Sequence, residues 1–173
     1  MWHARQLFGI AISFTYNTRA IQRSIPGWSN LNQTPTKIAT VTFAGDDFFI
    51  GVTPSGHAMT LDLNSERHVA PSPLELLLIA LGGCTGVDVV SILKKKRERV
   101  TDYRVEVGGD RRDEYPRSFT RLHVHHVLTG HNLSRAAVAR AIELSEQKYC
   151  SVAATLRPAA EITSSFEIIE AAE

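Results

Sequence analysis

Residues 76–93 read LLLIALGGCTGVDVVSIL, an apolar run whose one charged residue is Asp88 and which holds three glycines, Gly82, Gly83 and Gly86. A segment this long and this apolar fits either a bilayer or the core of a small domain. Its flanks and its interruptions favour the core. Pro71 and Pro73 end any extended structure and open a helix, with Ser72 as candidate cap and Glu75 in the first turn. The far end runs into KKKRER, a cationic last turn that suits the negative end of the helix dipole and reads as a solvated helix end, not a binding patch. Glycine inside a helix costs about 1 kcal/mol. Three of them predict a close approach, either by another helix of the chain or by a partner subunit.

Around this helix the pattern is that of strands. KIATVTFA alternates through Ala39, Val41 and Phe43, FFIGV follows a GDD turn, and HAMTLDL alternates through Met59, Leu61 and Leu63. These predict an antiparallel meander. Downstream, DYRVEVGG puts Tyr103, Val105 and Val107 on one face, and SFTRLHVHHVLTG does the same for Leu122, Val124, His126 and Leu128. NLSRAAVARAIELSEQKY is an amphipathic helix with Ser134 at its cap. SVAATL leaves room for a short helix before Pro158, and EITSSFEII is a last strand. The order β-β-β-α-β-β-α-α-β is α+β, with antiparallel sheets and a long central buried helix.

A chain of 173 residues, 43% hydrophobic and 21% charged, fits one domain with a real core. The formal net charge of +1 gives no reason to expect a nucleic-acid partner. Residues 1–45 contain no Asp or Glu but carry Arg5, Arg19, Arg23 and Lys37. Such a leader is either a transit peptide or an extension outside the fold. The second is the expectation here, with residues 1–36 as the extension and 37–173 as the domain. No membrane association is expected.

The chain has two cysteines, Cys84 inside the apolar helix and Cys150 between the amphipathic helix and the short one. With no secretory signal in view, two thiols predict a reducing compartment, the cytoplasm. Their wide separation in sequence excludes a CxxC motif and a clustered metal knuckle. Cys150 lies near backbone N–H groups that favour a thiolate. Read from the residues alone, the thiols serve either chemistry or packing, since free cysteine is among the most buried residue types.

APSPLELLLIALGGCTGVDVVSILKKKR followed by EQKYCSVAATL resembles the OsmC/Ohr family of thiol-dependent proteins, nearer its YhfA-like branch. The resemblance runs from Lys37 to Ile169. It implies an intertwined homodimer with the Cys-bearing helices buried centrally and each site built at the subunit interface. It also implies that Cys84 attacks an organic hydroperoxide and Cys150 resolves the resulting sulfenic acid as a disulfide, which a dithiol reductant reopens. The substrate would be small and apolar, and no cofactor is implied. The family's peroxidases activate the thiol with an arginine held by a glutamate ten positions before the first cysteine. That position is Leu74 here; the nearest candidates are Glu75, about 100° further round the helix, and Arg67. The alternative function is a non-enzymatic small-molecule binder or redox sensor using the same interface pocket.

Two further groups need placing. His123 and His125 form an H-x-H pair, with His126 and His131 nearby. Alternate strand residues can share a metal, but the expectation is histidines on the wet face of a strand and no metal centre. Asp88, one turn beyond Cys84, should share its face and act as a hydrogen-bonding partner. It is not expected to be catalytic, because a neighbouring carboxylate disfavours a thiolate.

Overall fold

The computed structural model describes residues 37–64 and 66–172. The expected leader, residues 1–36, lies outside the described residues. The chain divides into two compact units, Met1–Arg67 and His68–Glu173.

In the first unit β1 (Thr40–Gly45), β2 (Phe48–Val52) and β3 (Ala58–Asp62) form an antiparallel sheet in that order. The GDD turn is tight because Gly45, Asp46 and Asp47 all take positive φ, which glycine and short acidic side chains tolerate best. The register aligns Phe43 with Phe49 and Phe49 with Leu61, so the alternation read from the sequence becomes one apolar face. Leu61 is buried, while Val41, Phe43 and Met59 stay exposed.

The second unit contains α1 (Pro73–Lys95), β4 (Arg99–Arg111), β5 (Phe119–His131), α2 (Arg135–Leu144), a π-helical turn (Ser145–Tyr149), α3 (Ser151–Leu156) and β6 (Glu161–Glu170). The Ser72 hydroxyl and the Glu75 carboxylate cap α1 reciprocally, and the Ser134 hydroxyl accepts from Ala137 N–H at the start of α2. The sheet order is β4-β5-β6. β4 and β5 are antiparallel, but β5 and β6 are parallel, so this sheet is mixed where an antiparallel one was expected. The reason is the helical crossover between β5 and β6, which returns the chain to the end of the sheet where β5 began.

α1 is long and apolar enough to cross a bilayer, and here it packs along one side only. Leu81, Gly82, Thr85, Val89 and Leu93 are buried. A Cβ on Gly82 would sit 3.0 Å from a Val107 methyl, and one on Gly86 would sit 3.5 Å from Tyr103 and Val105. The close approach predicted by these two glycines is therefore made by side chains of β4, not by a second helix. Gly83 faces open space, and beside it Ile79 and Val87 are 65% and 71% exposed. Leu81 packs in one cluster with Leu122, Val124 and Cys150, and Val89 and Leu93 pack in another with Leu128, Val138 and Ile142. Each such side chain contributes about 2 kcal/mol.

One polar pair sits within this apolar layer. His126 is fully buried, and its Nδ1 lies 2.6 Å from the Tyr103 hydroxyl. Burial pushes the Tyr103 phenol far above its ordinary range, so it stays protonated and donates to the imidazole. The histidine proton then sits on Nε2, which has no partner among the described residues. Burial first, and then the charges of His125 and His123, push the His126 imidazole down to about 4. The unfolded imidazole titrates near 6.5, so this stabilisation is complete above that pH and is lost as pH falls through the folded value. Between the two values the loss is on the order of 3 kcal/mol. Urea midpoints followed from pH 7 to pH 4 should fall steeply in the parent protein and less so in His126→Phe, whatever the variant's stability at pH 7. Equal slopes would remove His126 as the cause.

Candidate functional site

Cys84 and Asp88 lie one turn apart on α1, as their spacing predicts. Cys150 reaches them through an irregularity the sequence did not announce. The amphipathic helix does not run smoothly to Tyr149; after Leu144 it widens into the π-helical turn, closed by Cys150 N–H donating to the Ser145 carbonyl at 2.8 Å. The chain then straightens at Cys150, which caps α3 by accepting Ala153 N–H on its sulfur at 3.3 Å. The result brings the two sulfurs and an Asp88 carboxylate oxygen within 4.8 Å of one another.

Hydrogen bonds fix each member. Ser145, fully buried, donates its hydroxyl to Asp88 Oδ2 at 2.9 Å. The Thr85 hydroxyl spends its proton on the Leu81 carbonyl at 2.8 Å. At 3.5 Å from Cys150 Sγ it is therefore the acceptor, and the Cys150 thiol is the donor. Cys150 is 3% exposed and Cys84 is half-buried. Burial pushes the Cys84 thiol above its ordinary value, opposed by a hydrogen bond from Val152 N–H; the Cys150 thiol and the Asp88 carboxylate add to the rise. The carboxylate thus acts in the direction expected of it, against the thiolate.

The supporting residues are engaged elsewhere. The Arg67 guanidinium donates to Asp62 at 2.8 and 3.0 Å and to Asp46 at 2.7 Å, and it lies 3.9 Å over the Phe48 ring, all within the first unit. The Glu75 carboxylate accepts Ser72 N–H at 2.6 Å in the capping box, which lowers its pKa. Leu74 packs with Cys84 against the cluster that contains Cys150, so the surroundings of the thiols on that side are apolar. A separate groove of about 820 Å³ runs along the glycine side of α1, between Leu78, Ile79, Gly83, Val87, Tyr103 and Val105, and neither thiol lines it.

The strand histidines lie apart from this cluster. His123 is exposed, and both its ring nitrogens bond to hydroxyls, Nδ1 to Thr163 at 2.8 Å and Nε2 to Ser165 at 2.7 Å. His125 bonds to the same Ser165 hydroxyl at 2.8 Å. Ser145 and Thr85, by contrast, were not singled out in the sequence. The available signal was a serine at an inward position of an amphipathic helix, where burial demands a polar partner.

A long glycine-containing helix, two three-stranded sheets, one cysteine within α1 and a second capping α3 define the class: the chain belongs to the OsmC-like protein family, whose sequence model matches residues 64–165. Within that family it is 50% identical over 123 residues to Protein YhfA of Escherichia coli (strain K12), across 71% of this chain and 91% of that one. The YhfA-like branch fits. The crystal structure of a hypothetical protein from Aquifex aeolicus VF5 is 30% identical with a TM-score of 0.71, covering 80% of this chain and 99% of that one. An organic hydroperoxide resistance protein OsmC from Legionella pneumophila shares the fold at 16% identity and a TM-score of 0.60, over 78% of this chain and 98% of that one.

Proposed function

We propose that the protein reduces small apolar hydroperoxides with the Cys84–Cys150 thiol pair, as part of a defence against oxidative stress in a reducing compartment. The observation that carries this reading is the meeting of the two sulfurs, within 4.8 Å, from elements far apart in sequence. The Cys84 thiolate attacks the O–O bond, the alkoxide leaves and takes a proton to become an alcohol, and the sulfur becomes a sulfenic acid. Cys150 then attacks that sulfur, water leaves, and a disulfide forms before over-oxidation. An external dithiol supplies two electrons and two protons to reopen it. The fold shared with a hydroperoxide resistance protein supports the reading.

The working unit in this proposal is a homodimer. Ile79, Val87 and Val90 form an exposed apolar stripe on α1, and Gly83 leaves its helix backbone uncovered there. An exposed apolar stripe of this kind fits the same stripe on a second copy across a two-fold axis.

One observation favours the alternative, a non-catalytic binder or redox sensor: burial and Asp88 hold Cys84 in its thiol form. The test is mass spectrometry of the reduced protein after one equivalent of cumene hydroperoxide. The expected product has lost about 2 Da, with Cys84 and Cys150 in one linked peptide. It should form faster at pH 9 than at pH 7, because burial raises the Cys84 thiol above its ordinary value and the thiolate is the attacking form. Thiols unchanged at both pH values would favour the binder.

A further inference from the structure

The cluster of Cys84, Asp88 and Cys150 has a second chemistry that hydroperoxide reduction does not use. We propose that in the reduced protein Cys84 Sγ, Cys150 Sγ and an Asp88 carboxylate oxygen bind one thiophilic divalent cation of the zinc class. The separation of the cysteines along the chain excluded a clustered metal knuckle, but folding brings the two sulfurs together.

Geometry is the first argument. In a tetrahedral site with metal–sulfur bonds of about 2.3 Å, the sulfurs stand about 3.7 Å apart and sulfur–oxygen separations are slightly shorter. The three donor atoms already lie within 4.8 Å of one another, so side-chain shifts of about 1 Å complete the arrangement. Two of the donors stand at i and i+4 on α1, a spacing that puts both on one helix face. Three protein donors leave a fourth position for water, the pattern of an open zinc site.

The surrounding hydrogen bonds are those that hold ligands in place. Ser145 fixes the Asp88 carboxylate through Oδ2, and among the described residues no hydrogen bond is made to Oδ1. Ala153 N–H donates to Cys150 Sγ, and Val152 N–H points at Cys84. Such outer partners orient first-sphere donors and typically change metal affinity 10–100-fold when removed. Charge is the third argument. None of the ion pairs among the described residues involves Asp88, so among those residues no cationic side chain stands within ion-pair distance of the carboxylate beside the two thiols. A divalent cation would balance the carboxylate and the two thiolates, with the two thiol protons released to the buffer. Occupancy and disulfide formation exclude each other, because both need the same sulfur lone pairs.

The test uses the full-length, tag-free protein, reduced, stripped with a chelator and titrated anaerobically with Co²⁺ in the absence of any peroxide. One Co²⁺ per chain should bind, with thiolate-to-metal charge-transfer absorption and the visible bands of a tetrahedral centre, both bleached by one equivalent of Zn²⁺. Cys84→Ser and Cys150→Ser should each abolish the charge-transfer band. Asp88→Asn, which keeps an acceptor for Ser145, and Ser145→Ala should each weaken binding at least about tenfold. Circular dichroism matching the parent's establishes that each variant is folded. The proposal is overturned if the parent gives no such band while both thiols remain titratable, or if folded Cys84→Ser binds Co²⁺ as the parent does. A protein that consumes hydroperoxide but gives no band loses the metal site and keeps the proposed reduction; the opposite result separates the two the other way.

Discussion

Cys84→Ser should lose hydroperoxide consumption down to background, a fall on the order of a thousandfold or more, because a serine hydroxyl is a far weaker nucleophile than a thiolate. Cys150→Ser should fail differently. Its Cys84 still attacks, so about one equivalent of hydroperoxide is consumed before the protein stalls as a sulfenic acid. Dimedone should trap that species on Cys84, and without the trap it should drift to the irreversible sulfinic form. The asymmetry follows from exposure: Cys84 is half-buried, and Cys150 is 3% exposed. Neither substitution should unfold the chain, since serine keeps the size of the side chain and can take over the contacts to Ala153 N–H and Thr85. If Cys84→Ser consumes hydroperoxide at the parent's rate, the thiol mechanism fails and the half-buried cysteine is a packing residue. If Cys150→Ser turns over as the parent does with the dithiol present, Cys150 is not the resolving thiol.

Gly83→Leu should abolish dimerisation. Among the described residues a Cβ at Gly83 meets nothing within 4 Å, so there is room there for the larger side chain. Leucine is also the better helix former by close to 1 kcal/mol. A loss of assembly is then expected from the surface that Gly83 forms with Ile79 and Val87. Overpacking costs about 1–3 kcal/mol per site, and a two-fold interface counts each substitution twice, giving about 2–6 kcal/mol. Light scattering at micromolar concentration should show a dimer for the parent and monomer or aggregate for the variant. Melting should also occur at lower temperature, because an obligate dimer draws its stability from assembly. Val87→Asp places a charge on the same stripe and should act in the same direction. A parent protein that is a soluble, folded monomer would sink the dimer outright, as would a Gly83→Leu protein that remains a dimer as stable as the parent.

Most of the secondary structure could be read directly, because its causes are local. The Ser72–Glu75 capping box, the prolines before α1 and the lysines at its end are signals within a few residues of the helix they bound. Alternation placed Tyr103, Val105 and Val107 on one face of β4, and Leu122, Val124, His126 and Leu128 together on β5, where the structure finds them. His123 and His125, out of phase with that set, point to the other face. Alternation says which residues share a face but not which direction a strand runs, so the parallel pairing of β5 with β6 was missed.

The candidate site was legible only in part, and the dividing line runs through α2. Cys84 and Asp88 share a helix face by period alone, and a resemblance of sequence, not any spacing rule, paired Cys84 with Cys150. What brings Cys150 to them is the π-helical turn after Leu144, whose i→i−5 bond from Cys150 N–H to the Ser145 carbonyl has no sequence signature. That turn is selected by tertiary contact: it buries Ser145 against Asp88, satisfying a carboxylate that α1 alone leaves without a partner. The sequence by itself determined the strands and the capped helices, because these depend on periodicity and on side chains bonding to their own backbone. The tertiary structure alone decided that two thiols and a carboxylate meet, and that Arg67 and Glu75 are taken up by Asp62, Asp46 and Ser72. Distances between atoms far apart in the chain are set by packing, and packing is a property of the whole fold.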